Sequence, residues 1–277
     1  MIVQQEVIGK MIVRAVAVVV LSFLAFQVRD MVNYYADVGM KTYRGLKDEA
    51  PIKCRVSDDQ QEIARHVDRY LLNYTAEQRQ TTGKPQMILL LGGSGTGKTI
   101  AAKHFLKDIP LNTSYVLHGL DDYLPLLPEF SDLFLHPKLI YKSAAQDCYP
   151  AVIPIAKVAR DTIIARKLNV VYEETGKDQQ RLIDRVIKPF MAAGYEIHAI
   201  LVNAHPNVAV VRAWIRFLET GRYAPEEYVR ASFPSSNISD LIRSFDIKLT
   251  TCQNDCVSGL LTPVAAALQR DCLVCTI

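Results

Sequence analysis

The sequence predicts an α/β fold, a mostly parallel sheet with helices on both faces, preceded by a membrane-anchor helix at the amino terminus. Three observations carry that prediction. Residues 11–28, MIVRAVAVVVLSFLAFQV, are apolar apart from Arg14, Ser22 and Gln27. Residues 87–105, MILLLGGSGTGKTIAAKHF, run from an apolar strand through a glycine loop into a helical pattern. Strand-like and helix-like segments then alternate to residue 252, the pattern of parallel strands joined by crossover helices. A chain of 277 residues, 49% hydrophobic and 22% charged, has room for one large domain with appendages. Its net charge of +3 is spread through mixed sequence, so nucleic acid is not an expected partner.

Residues 1–30 form the predicted hydrophobic anchor. The unbroken run from Ala15 has the length of a signal-peptide core, and with Met11 to Val13 it approaches a membrane span. Arg14 lies near one end, where its long side chain can reach the headgroups. No small-x-small cleavage pattern follows, which favours an uncleaved anchor, and the run is apolar on every face rather than amphipathic. Lys10 and Arg14 precede its core, while Arg29, Lys41, Arg44 and Lys47 follow it. That small excess places the main domain on the cytosolic side.

Residues 31–84 read as a helical linker. Pro51 breaks any long helix. SDDQQEIARHVDRYLLNY (57–74) opens with a capping-box pattern, Ser57 and Gln60, and continues with Ile63, Val67, Leu71 and Leu72 as an apolar face. The polar connector TAEQRQTTGKP ends at Pro85.

The main domain spans residues 85–255. Gly92-x4-Gly97-Lys98-Thr99 follows directly on the strand Met87 to Leu91 and opens a helix. This is the context that gives the pattern meaning, and it defines the P-loop NTPase three-layer fold. The main chain of Gly92, Gly93, Ser94, Gly95, Thr96 and Gly97 can close around phosphates, and the helix amino terminus adds its positive dipole. Lys98 is expected to reach the β and γ phosphates of ATP, and Thr99 to bind Mg²⁺.

Four further strands are expected at 114–120, 168–175, 194–204 and 245–252, with helices at 149–167 and 209–222. The prolines of the first helix fall in its opening turns. Ligands of such sheets gather at the carboxyl ends of the strands. Asp121 and Asp122 follow the first of these strands, and Glu173 and Glu174 end the second. An acid there can orient Mg²⁺ or take a proton from an attacking hydroxyl, or it can simply cap the next helix. Arg212 and Arg216 share a helix face, and Arg222 follows. A guanidinium so placed can neutralise charge on a moving phosphoryl group.

Six cysteines complete the inventory. Cys54 and Cys148 stand alone and read as ordinary buried thiols. Cys252-x3-Cys256 and Cys272-x2-Cys275 straddle the start of a tail at 256–277 and approach metal-ligand spacing. The absence of an accompanying histidine weighs against a zinc or disulfide role.

From Met87 to Asp255 the chain resembles the zeta-toxin family of P-loop kinases. GGSGTGKT matches that family's phosphate loop, and LDDYLPLLPEF resembles its Asp-x-aromatic segment. VVYEETGKD resembles its apolar strand ending in Glu-Gly-Thr, with Glu174 in place of the glycine. AILVNAHPNVAVVRAWIRFLETGRYAPEEY is similar to its strand, arginine helix and Arg-x-x-Pro segment, and FDIKLTTCQND to its closing strand.

The resemblance implies transfer of the ATP γ-phosphoryl to a sugar hydroxyl, best known for UDP-N-acetylglucosamine. By position, Lys98 and Thr99 hold ATP and Mg²⁺, Asp121 is the general base, Glu173 its supporting carboxylate and Thr175 a substrate-side threonine. Arg222 is the second phosphate-facing arginine, and Arg216 is preferred to Arg212 as the first. Leu124, Leu127 and Glu174 depart from the family on the acceptor side, so the acceptor is expected to be a small hydroxyl compound, with a nucleotide sugar as the candidate. The anchor and cysteine tail lie outside the family core, and no antitoxin partner is assumed. A competing reading keeps the nucleotide site without a transfer reaction: a membrane-tethered ATP-binding switch or interaction protein.

Overall fold

The computed structural model describes residues 53–57, 59–75, 83–106, 115–135, 142–220, 222–255 and 273–276. The anchor expected at 11–28 lies outside them. Among the described residues no helix is long and apolar enough to cross a membrane.

Helix α1 (Gln60–Thr75) leads into strand β1 (Gln86–Leu91) and helix α2 (Lys98–Phe105). Strand β2 (Val116–His118), the short helix α3 (Leu120–Tyr123), a 3₁₀ turn at Leu124–Leu126 and helix α4 (Pro128–Leu135) come next. The long helix α5 (Ala144–Arg166) returns the chain to β3 (Val170–Glu174). Helix α6 (Gln179–Leu182), a π-helical turn at Ile183–Ile187 and α7 (Lys188–Ala192) lead to β4 (Glu196–Asn203). Helices α8 (Pro206–Thr220), α9 (Glu226–Ala231) and α10 (Ile238–Arg243) precede β5 (Lys248–Asn254) and β6 (Leu273–Thr276).

The six strands lie in the order β2-β3-β1-β4-β5-β6. All neighbours are parallel except β5 and β6, which are antiparallel. Met87 to Leu91 of β1 are all buried, as a central parallel strand covered on both faces requires. Alternation along the strand divides them. Met87, Leu89 and Leu91 join the core that takes in residues of α1, α5, α7 and α10. Ile88 and Leu90 face Ala101 and Ala102 of α2 on the other side. This division produces the three layers. The chain leaves β1 toward β2, and later crosses to β4 on β1's other side, so the crevice of this sheet opens at the carboxyl end of β1.

Several local expectations are corrected. Asp59, not a Ser57–Gln60 box, caps α1: its carboxylate accepts from Gln61 N at 2.8 Å. Ile63, Val67 and Leu71 are spaced four apart and buried, whereas Leu72, a further 100° around, is 65% exposed. Helix α5 starts five residues before the expected 149, so Pro150 and Pro154 lie inside it rather than in its first turn. The strand expected at 114–120 keeps only Val116–His118, because Gly119 and Leu120 already turn into α3.

The cysteines carry the largest correction. Cys54 is bonded to Cys148, which ties the segment before α1 to the start of α5. Cys252 is bonded to Cys275, its register partner across β5 and β6. Spacing along the chain hid both bonds, since partners distant in sequence meet only once the fold is formed.

Candidate active site

The phosphate loop joins the carboxyl end of β1 to α2. Gly95 and Gly97 have φ of 79° and 91°, a region that side chains disfavour. A Cβ at Gly95 would lie 2.1 Å from the Ala209 carbonyl oxygen, so α8 presses directly on the loop. The loop is braced from behind. Arg212 Nη1 donates to the carbonyls of Thr96 (3.2 Å) and Asn254 (3.0 Å), and its Nη2 donates to Asn254 Oδ1 at 2.8 Å. Asn254 Nδ2 adds a second bond to the Thr96 carbonyl at 3.0 Å. With that carbonyl held, the planar peptide leaves the Gly97 N–H on its opposite side. Ser94 N donates to Ser232 Oγ at 2.8 Å, which fixes the other limb of the loop.

Lys98 Nζ donates to the Gly92 and Gly93 carbonyls at 2.9 and 3.1 Å. Burial pushes its ammonium pKa down, and the carboxylates of Glu173 and Asp121 oppose that shift. Thr99 lies in the first turn of α2, exposed, with Oγ1 donating to Glu173 Oε1 at 3.4 Å. The register explains this contact: Glu173 is the partner of Leu90, two residues before the loop.

The two acid pairs separate into different roles. Asp122 accepts from Gly119 N at 2.7 Å and caps α3. Burial first, then the Glu173 charge, pushes its carboxyl up to about 7, against the Gly119 hydrogen bond. Asp121 faces arginines instead. Its Oδ2 lies 3.0 Å from Arg222 Nη1 and 3.5 Å from Arg216 Nη1. Its Oδ1 accepts from the hydroxyl of Tyr149 at 2.6 Å. Arg216 also reaches the loop, donating through Nη2 to Ser94 Oγ at 3.3 Å. On β3, Glu174 is neutralised by Arg181 at 2.8 Å. Thr175 accepts from Lys177 N at 3.3 Å.

The fold therefore gathers Lys98, Thr99, Asp121, Glu173 and Arg216 around one loop, with Arg222 on Asp121. Arg212 and Arg216, four apart on α8, divide between the back of the loop and its open side. Sequence reading missed Tyr149, Ser232 and Asn254. Each is an ordinary polar residue, Tyr149 of a helix, Asn254 of a strand and Ser232 of the turn after α9, and only the fold brings it to the loop or to Asp121.

The residues present fit ATP and Mg²⁺. Gly95 and Gly97 give the main chain the turn a phosphate cradle needs, and Thr99 offers a hydroxyl next to a carboxylate. Among the described residues, no cluster of three or more metal-ligating side chains occurs. A lone hydroxyl and one carboxylate suit Mg²⁺, which keeps waters and takes phosphate oxygens as ligands.

A phosphate loop at the switch point of a parallel sheet, faced by an acid and two arginines, defines a P-loop protein of kinase-like build. The chain belongs to the zeta toxin family, whose model matches residues 71–255. Among solved structures it is similar to one from the PezAT chromosomal toxin–antitoxin system of Streptococcus pneumoniae, at 17% identity and a TM-score of 0.52. That match covers 77% of this chain and 87% of the other. It is also similar to a chain of the native AvrRxo1-ORF1:-ORF2 complex, at 16% identity and a TM-score of 0.54, over 70% of this chain and 63% of that one. The same complex with ATP matches at 14% identity and a TM-score of 0.52, over 70% and 62%. At these identities the likeness is one of fold. A comparison with curated proteins returns no match.

Proposed function

We propose that the chain is an ATP-dependent small-molecule kinase that moves the γ-phosphoryl group to a hydroxyl, with a UDP-N-acetyl sugar as the candidate acceptor. The observation that carries this reading is the guanidinium of Arg216, which spans from Ser94 of the phosphate loop to Asp121. A base and a phosphate-facing cation side by side at the loop are what transfer requires beyond binding. The ATP-bearing neighbour of this fold is consistent with the nucleotide half.

In this reading Asp121 takes the proton of the attacking hydroxyl as its oxygen bonds to the γ phosphorus. The bond from that phosphorus to the β–γ bridging oxygen breaks, and ADP leaves. Lys98, Arg216 and Arg222 spread the charge that builds on the moving group. Mg²⁺ beside Thr99, when bound, would supply neutralisation of the β and γ oxygens. Glu174 stands where the family has glycine, and its pairing with Arg181 cancels the charge it adds to the acceptor side. A tether through residues 11–28 would put this chemistry at a membrane surface.

The test is incubation of the full chain with γ-labelled ATP, Mg²⁺ and a panel of nucleotide sugars including UDP-N-acetylglucosamine. Label should appear on a sugar. Asp121→Asn should lower the transfer rate by about 100-fold or more while ATP binding persists. Label released only as free phosphate, or no label despite tight ATP binding, would favour the ATP-binding switch.

A further inference from the structure

Asp121 carries two kinds of partner, and they do different things. Arg216 and Arg222 lie on Oδ2. Both are also the cations that the proposed reaction needs at the phosphates. Tyr149 lies on Oδ1, across the carboxylate, and comes from an unrelated element, the second turn of α5. A carboxylate held on one oxygen alone can still turn about its Cβ–Cγ bond. Held on both oxygens by donors of different origin, it has one orientation.

We infer that Tyr149 is a positioning residue for Asp121: its hydroxyl fixes Oδ1 and so keeps Oδ2 turned to the arginines, where the acceptor's proton must arrive. The inference rests on the kinase reading above, in which Asp121 is the base.

The tyrosine is well placed for this. It is only partly exposed, and its ring packs against the main core. Its neighbour Cys148 is fully buried and covalently bonded to Cys54, which anchors this turn of α5. Burial, followed by the Asp121 charge and hydrogen bond, pushes the phenol pKa up, so it stays a donor throughout the physiological range. The phenol therefore cannot itself accept the proton, and its contribution is geometric.

The step balances without it. The acceptor's O–H proton passes to Oδ2 of Asp121, the acceptor oxygen takes the phosphoryl group, and ADP leaves with the bridging electrons. Asp121 later returns the proton to solvent. Tyr149 donates the same hydrogen bond before and after.

Tyr149→Phe in the full chain keeps the ring and deletes the donor. With γ-labelled ATP, Mg²⁺ and UDP-N-acetylglucosamine, or whichever sugar of the panel wild type labels, kcat should fall about 10- to 100-fold. KM for ATP should stay within about two-fold and the melting temperature close to wild type, a split that a merely structural tyrosine would not give. Equal kcat in Tyr149→Phe and wild type overturns the inference. So does a loss that tracks unfolding, or one confined to the KM for ATP. If wild type labels no sugar while still binding ATP, the kinase reading fails and the inference falls with it. That outcome differs from the first in leaving no wild-type activity at all.

Discussion

Asp122 sits one residue from Asp121 yet faces a different environment. Its carboxyl is raised from 3.8 to about 7 by burial and by the Glu173 charge. A carboxyl with a raised folded-state pKa costs no stability while it is protonated in both states. The cost begins once the unfolded chain ionises near pH 4 and grows until the folded group ionises near 7. Asp122→Asn can keep the bond from Gly119 N and removes that cost. In denaturant titrations the variant should match wild type at pH 4 and exceed it by about 2–4 kcal/mol at pH 8. Buried His118, lowered to about 3 by burial, slopes the opposite way over a similar range, but it is present in both proteins and cancels in the difference. An equal gain at both pH values would assign the effect to packing. Strand ends alone displayed the Asp121–Asp122 and Glu173–Glu174 pairs without saying which member meets the loop, and it was the family resemblance that singled out Asp121 and Glu173. Adjacent residues on a helix point about 100° apart, and only the direction in which α3 leaves the sheet decides between them.

Helix α8 poses the same question at the level of an element. Its i, i+4 arginines were legible as one face, and their division between two sides of the phosphate loop was not. Arg212 is 9% exposed and bonds to the Thr96 carbonyl and to Asn254, so it joins α8, the loop and β5. Replacing it by Met strips buried carbonyls of donors, at a cost of about 2–4 kcal/mol. Lys should not restore the stability, because a point charge cannot make the forked contacts of a guanidinium. Arg212→Met should therefore lower both the unfolding midpoint and ATP affinity, whereas Arg216→Met should keep the midpoint and lose transfer. An unchanged midpoint in Arg212→Met would remove the bracing role. The continuous apolar runs of β1 and β4 and the periodic helices α1 and α8 could be read from sequence to within a few residues. The short helices α3, α6, α7, α9 and α10 could not. Each is under two turns, too short to show a period, and is held by tertiary contacts rather than propensity.

At the scale of the molecule, nothing in the cysteine spacing marks which cysteines meet. The Cys54–Cys148 bond spans a sequence separation of 94. In the chain-entropy account a ring of that size removes about 4–5 kcal/mol of unfolded-state freedom. The double variant Cys54→Ala/Cys148→Ala should lose about 2–5 kcal/mol in equilibrium unfolding, and reductant should destabilise wild type by at least as much, because it also opens Cys252–Cys275. No change in either would deny the bond a part in stability. The ring encloses β1, the phosphate loop with Lys98, and Asp121, while Glu173, Arg216 and Arg222 lie beyond it. A peptide bond severed between Asp121 and Cys148 would thus yield two polypeptides but still one molecule, with nucleotide loop and base tethered to the arginine half. Such a nicked protein would migrate as a single species until its thiols were freed.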